Sequence, residues 1–430
     1  MKSKNIIIKS LALSLLLSFA SCADTNIEEG PTETKITVTV NRPADVLDAT
    51  VLSQSISFLN IANQRVSTFE DLMAISLLPG LYDVTYTAEL QLSSGAHSTL
   101  RAKQSSVQID GGTFAFSLEA YNNIETDDLI IAEIFFSGTV QASGNSYVGD
   151  DYIKLYNNTD HVIYADGLTF FQSKFLTTKK LDHTPDIMAT DMNVEALYTI
   201  PGSGTDHPVQ PGEFLLLADT GIDHRVANPN SFDLSHADFE WYDVSTKPTA
   251  IDIDSPTVPN LDKVYCYTLS YFMLHNRGFK AFGIARIPVD SDTYLRDYHY
   301  DYDFDQVTLA GTFPMSAQSY RIPNEWIVDV VNCSVESEYA WNVCTPALDC
   351  GWTHCGSIDK DKDRFFRSVR RKLLYINDAG NPVLKDTNNS AEDFNPDCIA
   401  SEIELQGTAI DAAGTPCTQL TYDGLTPVQQ

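Results

Sequence analysis

The chain is poor in positive charge. It carries 28 Lys and Arg against 58 Asp and Glu, a formal net charge of −30. So acidic a surface repels phosphate backbones and anionic headgroups, which argues against nucleic-acid binding and against docking directly on an anionic bilayer. It favours solubility and suits cationic partners. Long hydrophobic runs are also scarce. Past the N-terminal stretch the longest lies near Leu215–Ala218, far short of the ~20 apolar residues a spanning helix needs. Charged residues are nevertheless only 20% of the chain and hydrophobic residues 43%, enough to build a core and unlike a disordered composition.

Fingerprints of chemistry are missing too. There is no G-x-S-x-G, no phosphate-binding loop, no dinucleotide motif and no H-E-x-x-H. His183, His207, His224, His236 and His275 are scattered, and Gly202 and Gly204 fall in a loop. Asp359-Lys360-Asp361-Lys362-Asp363 begins like a calcium loop, but Arg364 occupies the sixth position and Arg370 the twelfth, where that loop needs Gly and Glu. Asp252, Asp254 and Asp262 match no cage. The expectation is therefore no enzyme, no cofactor and no metal. A metal-assisted hydrolase stays as an alternative, because an Asp-rich chain always supplies carboxylate pairs.

What is present begins at the N-terminus. Lys2, Lys4 and Lys9 flank an apolar stretch from Ile6 to Leu17, the make-up of a secretory signal. Ala20-Ser21 directly before Cys22 resembles a bacterial lipobox, with Phe19 in place of the usual aliphatic residue. The resemblance implies a signal peptide over 1–21 and lipidation of Cys22, and so a protein held in the outer membrane by its acyl chains, at the cell surface or the periplasmic face. Each buried methylene contributes ~0.8 kcal/mol, so several chains anchor stably. Ordinary cleavage, releasing a soluble secreted protein, is the other reading. Loss of the three signal lysines brings the mature chain to −33. Residues 22–33 are acidic, contain Gly30-Pro31 and read as a tether.

Seven further cysteines follow. An exported chain with a C-terminal cluster reads as a disulfide framework. Cys333, Cys344, Cys350, Cys355, Cys398 and Cys417 are the candidates, with pairing open, and Cys266 is left over.

Period-two patterning starts after the tether. Ile36, Val38 and Val40, then Tyr82, Val84 and Tyr86, then Phe114, Phe116 and Leu118 alternate with polar residues, as half-buried strands do. Asp110-Gly111-Gly112 is a hairpin signal. Residues 34–122 thus read as a small β-sandwich. Leu78-Pro79-Gly80-Leu81-Tyr82 resembles the Pro-Gly turn and Tyr-bearing strand of transthyretin-like or carboxypeptidase regulatory-like modules.

Residues 128–397 carry a second set of signals. Ile131-x-Glu133-Ile134, Asp151-Tyr152-Ile153-Lys154-Leu155-Tyr156-Asn157, Gly167-Leu168 and Pro211-Gly212-x-x-Leu215-Leu216 resemble the successive strands of a lamin-tail domain. Lys154 departs from that pattern, which has an acidic residue there. Ile327-Val328-Asp329-Val330-Val331, Ser368-x-x-Arg371 and Asp386-Thr387-Asn388-Asn389-Ser390-x-x-Asp393-Phe394 resemble its late elements. The whole arrangement is similar to the DUF4876 lipoproteins of Bacteroidetes. The fold expected is all-β: two immunoglobulin-like or transthyretin-like sandwiches, the second with long loop insertions, then a disulfide-tied extension over 398–430. Ordered insertion loops are expected at Ser173–Pro201, Ile222–Pro259, Pro288–Ser319 and Cys333–Gly356. The family resemblance also implies company with a TonB-dependent receptor.

Asp297 to Asp305 alternates acids and His299 with aromatic residues. As a strand it would set one carboxylate-and-imidazole face against one aromatic face. A cation site is one reading; a core-facing aromatic side with a solvated acidic side is the plainer and better one. Aromatics in or beside insertions suggest a binding patch: Trp241, Tyr242, Tyr271, Trp341 and Trp352, with His299, Asp301 and Asp303. The leading expectation is a lipoprotein that binds a nutrient or a partner receptor through its insertion loops. A structural adhesion or assembly module is the second.

Overall fold

The computed structural model describes residues 32–43, 46–92, 97–123, 126–407 and 420–428. The expected signal peptide, Cys22, nearly all of the expected tether and Cys417 lie outside them. Strands dominate, with three short α-helices among the described residues.

The alternating segments near the N-terminus pair as their pattern requires. Thr34–Asn41 lies between Ile75–Leu77, antiparallel, and Thr113–Glu119, parallel. A second sheet runs Val66–Phe69, Thr50–Asn60, Gly80–Gln91, His97–Ile109, Tyr121–Asn123. Ile36, Val38 and Leu118 of the first sheet meet Ile56, Phe58, Val84, Tyr86 and Leu100 of the second in one core. Tyr82 turns its hydroxyl back to Leu78 O at 2.8 Å, closing the Pro-Gly turn.

The larger β-sandwich follows. One sheet has the order Phe239–Glu240, Phe214–Ala218, Tyr152–Tyr156, Ile130–Phe135, Arg367–Arg371, Phe394–Ile399. Facing it is a nine-stranded sheet. Ile131, Ile134, Ile153, Leu155, Leu215 and Val369 pack across the gap against Phe170, Tyr198, Phe282, Ile284 and Val331. Ile130–Phe135 and Leu168–Ser173 are buried at every residue, because both outer faces are covered as well. Phe232, Leu234 and Val258 from the 222–259 segment cover Phe135, Tyr152 and Leu216. An ion pair, Lys103–Asp378 at 2.8 Å, and ring contact between Tyr121 and Tyr375 join the smaller sandwich to the larger.

Every expected insertion contributes strand to a sheet, Phe239–Glu240 and Thr353–His354 among them, and two are strand over much of their length. The 173–201 segment contains the strand Asp191–Thr199, paired with Leu168–Ser173, Asp262–Cys266 and Gly311–Pro323. The 288–319 segment supplies a helix, Ser291–Asp297, capped by Asp290, and a long hairpin, His299–Thr308 with Gly311–Pro323.

The late sequence motifs converge on one buried cation. Arg371, at the end of Arg367–Arg371, lies 2.5 Å from Asp329 Oδ2, 3.0 Å from Asp386 Oδ1 and 3.7 Å from Asp393 Oδ2. It also donates to Ile131 O and Lys385 O. Asp393 in turn accepts the Thr387 amide and hydroxyl. The motif residues are thus a clamp between the two sheets, and their role is architectural. Lys154 is accommodated the same way, buried against Glu402 at 2.5 Å and donating to Ser401.

Among the described residues no disulfide is formed. Cys266, Cys333, Cys344, Cys355 and Cys398 are free thiols. Cys333 sits in the sheet, its backbone paired with Thr353, and Cys344 accepts from Asn332 at 3.2 Å. Cys350 is exposed.

Candidate functional site

The hairpin at the edge of the nine-stranded sheet organises a cleft. Alternation along His299–Thr308 places Tyr300 and Tyr302 inward, 4% and 6% exposed, while His299, Asp301, Asp303 and Asp305 face solvent. The short strand His183–Thr184 pairs with Asp303 and Phe304, which brings His183 onto the aromatic face. Its imidazole stacks on Phe175 at 3.8 Å and 11°. Tyr302 meets both rings edge-on, and Trp341 lies 6.5 Å from His183 in stacked orientation. The Trp341 indole N–H donates to Leu176 O at 2.9 Å, which fixes its plane.

Phe175, His183, Tyr300 and Trp341 wall a cavity of about 380 Å³. Asp182, Asp186, Asp191 and Asn193 bring acceptors to it. Asp191 is paired with Arg321. Asn193 donates to Ser319 Oγ, yet its own Oδ1 is buried and has no partner. An unpartnered buried acceptor is costly, and a donor entering the cavity relieves it. Lys180 Nζ stands 5.9 Å from the Trp341 ring centre, a cation already placed on the aromatic wall. Burial holds the His183 imidazole below its ordinary value, against the pull of Asp186 and Asp182.

An open groove of about 940 Å³ shares Lys180, Leu181 and Asp182 with this cavity and runs along Asp303, Phe304, Asp305 and Met315. The hairpin then projects into solvent with an apolar tip. Val307, Leu309, Phe313 and Met315 are 67%, 111%, 48% and 46% exposed.

Of the aromatic and acidic patch expected from sequence, Trp341 lines the cavity on the aromatic side of this hairpin, whereas His299, Asp301 and Asp303 share its opposite, solvent-facing side. Trp241 does not belong to any surface. It is 0% exposed and packs between Phe170 and Phe272. Tyr242 and Tyr271 are half-buried away from the cleft. Trp352 stacks on Tyr339 at 4.2 Å. Phe175, His183, Asp186 and Asn193 were not singled out as a group by sequence; only the length of the 173–201 segment marked them. The other histidines do not cluster: His224 is buried and His275 half-buried, and desolvation holds both down to about 4. Among the described residues no group of three or more His, Cys, Asp or Glu is arranged to hold a metal ion.

Residues 210–401 match the DUF4876 family. Its description is a protein of unknown function. The crystal structure of a DUF4876 family protein from Bacteroides thetaiotaomicron has the same fold, with a TM-score of 0.55 and 19% identity over 86% of this chain and 96% of that one. No curated protein matches the chain. The DUF4876 match contains the hairpin, Trp341 and the Arg371 clamp. The opposite wall of the cleft, Phe175 to Asn193, lies ahead of it.

Proposed function

We propose that this protein is a lipid-anchored outer-membrane binding protein that engages a nutrient or a partner receptor at the hairpin cleft, without turnover. The observation that carries the reading is the aromatic wall of Phe175, His183 and Trp341 beside the unpartnered Asn193 acceptor. Such a site takes a group with a flat apolar body and hydrogen-bond donors, cationic ones above all, given the Asp182 and Asp186 carboxylates. The apolar hairpin tip favours a macromolecular partner over a free metabolite, since four exposed apolar side chains in one projection cost solubility unless something covers them.

The test is capture of partners from outer membranes by the native lipoprotein, identified by mass spectrometry. A TonB-dependent receptor in stoichiometric yield, lost with Trp341→Ala or with Leu309→Ser/Phe313→Ser, supports the reading. A receptor retained by those variants sinks the cleft and tip as its site. The anchor is tested separately: Cys22→Ala should leave the membrane fraction, and unchanged partitioning would overturn it.

A further inference from the structure

A second group of carboxylates, remote in sequence from the cleft, has no counterion among the described residues. Asp151 and Asp219 stand opposite each other where the ladder between Tyr152–Tyr156 and Phe214–Ala218 ends. The register pairs Tyr152 with Ala218, and the Asp219 amide donates to Asp151 O at 2.8 Å. The two side chains therefore leave the sheet on one face, with Cβ atoms about 5 Å apart. They are 0% and 4% exposed. Both Asp151 oxygens and Asp219 Oδ2 are without a hydrogen-bond partner. The Gly138 amide favours the charged form of Asp151 without reaching hydrogen-bond geometry.

The surroundings add negative charge. Asp150 is fully buried; its Oδ2 accepts the Thr139 and Ser231 hydroxyls at 2.5 Å and its Oδ1 is unpartnered. Asp252 and Glu240 act on Asp219 from the 240–254 segment. Burial, then these like charges, raises Asp151 and Asp219 far above the ordinary carboxylate range. Nearby bases are engaged elsewhere: Arg225 with Asp223 and Asp233, Lys263 with Asp243. His224 is neutral, its Nε2 against Thr220 O and its Nδ1 against the Tyr147 hydroxyl, both at 2.8 Å.

Two facing buried carboxylates with no counterion are not carried in a folded core as a pair of charges. One shared proton removes one charge; a divalent cation removes both and coordinates the unpartnered oxygens. We propose that Asp151 and Asp219 hold a calcium ion. Every donor on offer is a hard oxygen, and calcium tolerates the irregular geometry of two strand ends better than magnesium does. With no third side-chain ligand in place, water or main-chain oxygen completes the sphere, and Asp150 supplies field rather than a bond. The ion would clasp the start of the 222–259 segment to the sheet.

The experiment is calorimetric titration of the chelator-treated full chain with CaCl₂ at pH 7.5, alongside thermal melts with CaCl₂ and with MgCl₂. The expected result is saturable calcium binding, a raised Tm, and affinity weakened at least roughly tenfold in Asp151→Asn and Asp219→Asn. No calcium heat and no Tm shift in the wild type, with stability rising as pH falls from 7.5 to 5, would show a shared proton and overturn the proposal. An unchanged calcium response in the variants overturns it as well. Should the variants not fold, anomalous scattering from a Mn²⁺-soaked wild-type crystal decides: a peak between the two carboxylates supports the site, and its absence there refutes it.

Discussion

Lys154 Nζ lies 2.5 Å from Glu402 Oε1, with both side chains almost out of solvent. Burial works against the Glu402 anion, but Lys154 and then His236 outweigh it and hold the carboxyl down to about 2. A folded value below the unfolded one stabilises the fold above about pH 4.5, and that stability is lost as pH falls towards 2. Lys154→Met should cost about 3–5 kcal/mol in urea unfolding at pH 7, since it strands a buried carboxylate. The double variant Lys154→Met/Glu402→Leu should regain most of that loss. A double variant no better than the single one refutes the pairing.

Arg371 faces three carboxylates. Burial outweighs the arginine and raises Asp329 and Asp393 above the ordinary carboxylate range. A raised folded value means the native state binds more protons, so these acids favour folding at low pH and oppose it as pH rises above about 4. Arg371→Met should lose about 3–5 kcal/mol at pH 7. The deficit should shrink at pH 5, where the stranded acids take up protons. Chemical denaturation at the two pH values checks both the loss and its direction.

Free thiols in the core make a chemical prediction. Cys266, Cys333, Cys344, Cys355 and Cys398 should all alkylate in denaturant without reductant, read by intact-mass spectrometry. Cys333, Cys344 and Cys355, the most deeply buried, should react slowly in the native protein. A mass short of those five adducts, restored by reductant, shows a bridge that the fold does not contain.

Gly278 has no room for a side chain. Its φ is +62°, and a Cβ there would meet Phe136 Cζ at 2.6 Å. Gly278→Ala should therefore lose about 1–3 kcal/mol through overpacking and backbone strain. A thermal midpoint equal to wild type contradicts this.

The strands of the small sandwich were legible because burial follows a period of two, from Ile36 and Val38 to Tyr82, Val84 and Tyr86. The Asp386–Phe394 motif was legible as a sequence, but its work, holding Arg371, was not, since the clamp also needs Asp329 from another sheet. Asp191–Thr199 reads as loop from sequence because a strand covered on both faces lacks alternation. Trp241 reads as surface because it falls in the 222–259 insertion, whereas Phe170 and Phe272 enclose it. The cleft escaped for a related reason: His183 and Phe304 are far apart in sequence, and only strand pairing makes them neighbours.

From Tyr298 to Asp305 the hairpin strand puts every aromatic ring at an even number and every acid, with His299, at an odd one. Strand geometry ties that parity to inside and outside. A deletion or insertion of a single residue ahead of Tyr300, with the pairing to Gly311–Pro323 kept, would turn Asp301 and Asp303 onto Phe175 and His183 and set the tyrosines in water. Length errors here are therefore far more damaging than substitutions, and the segment can change its letters more freely than its count.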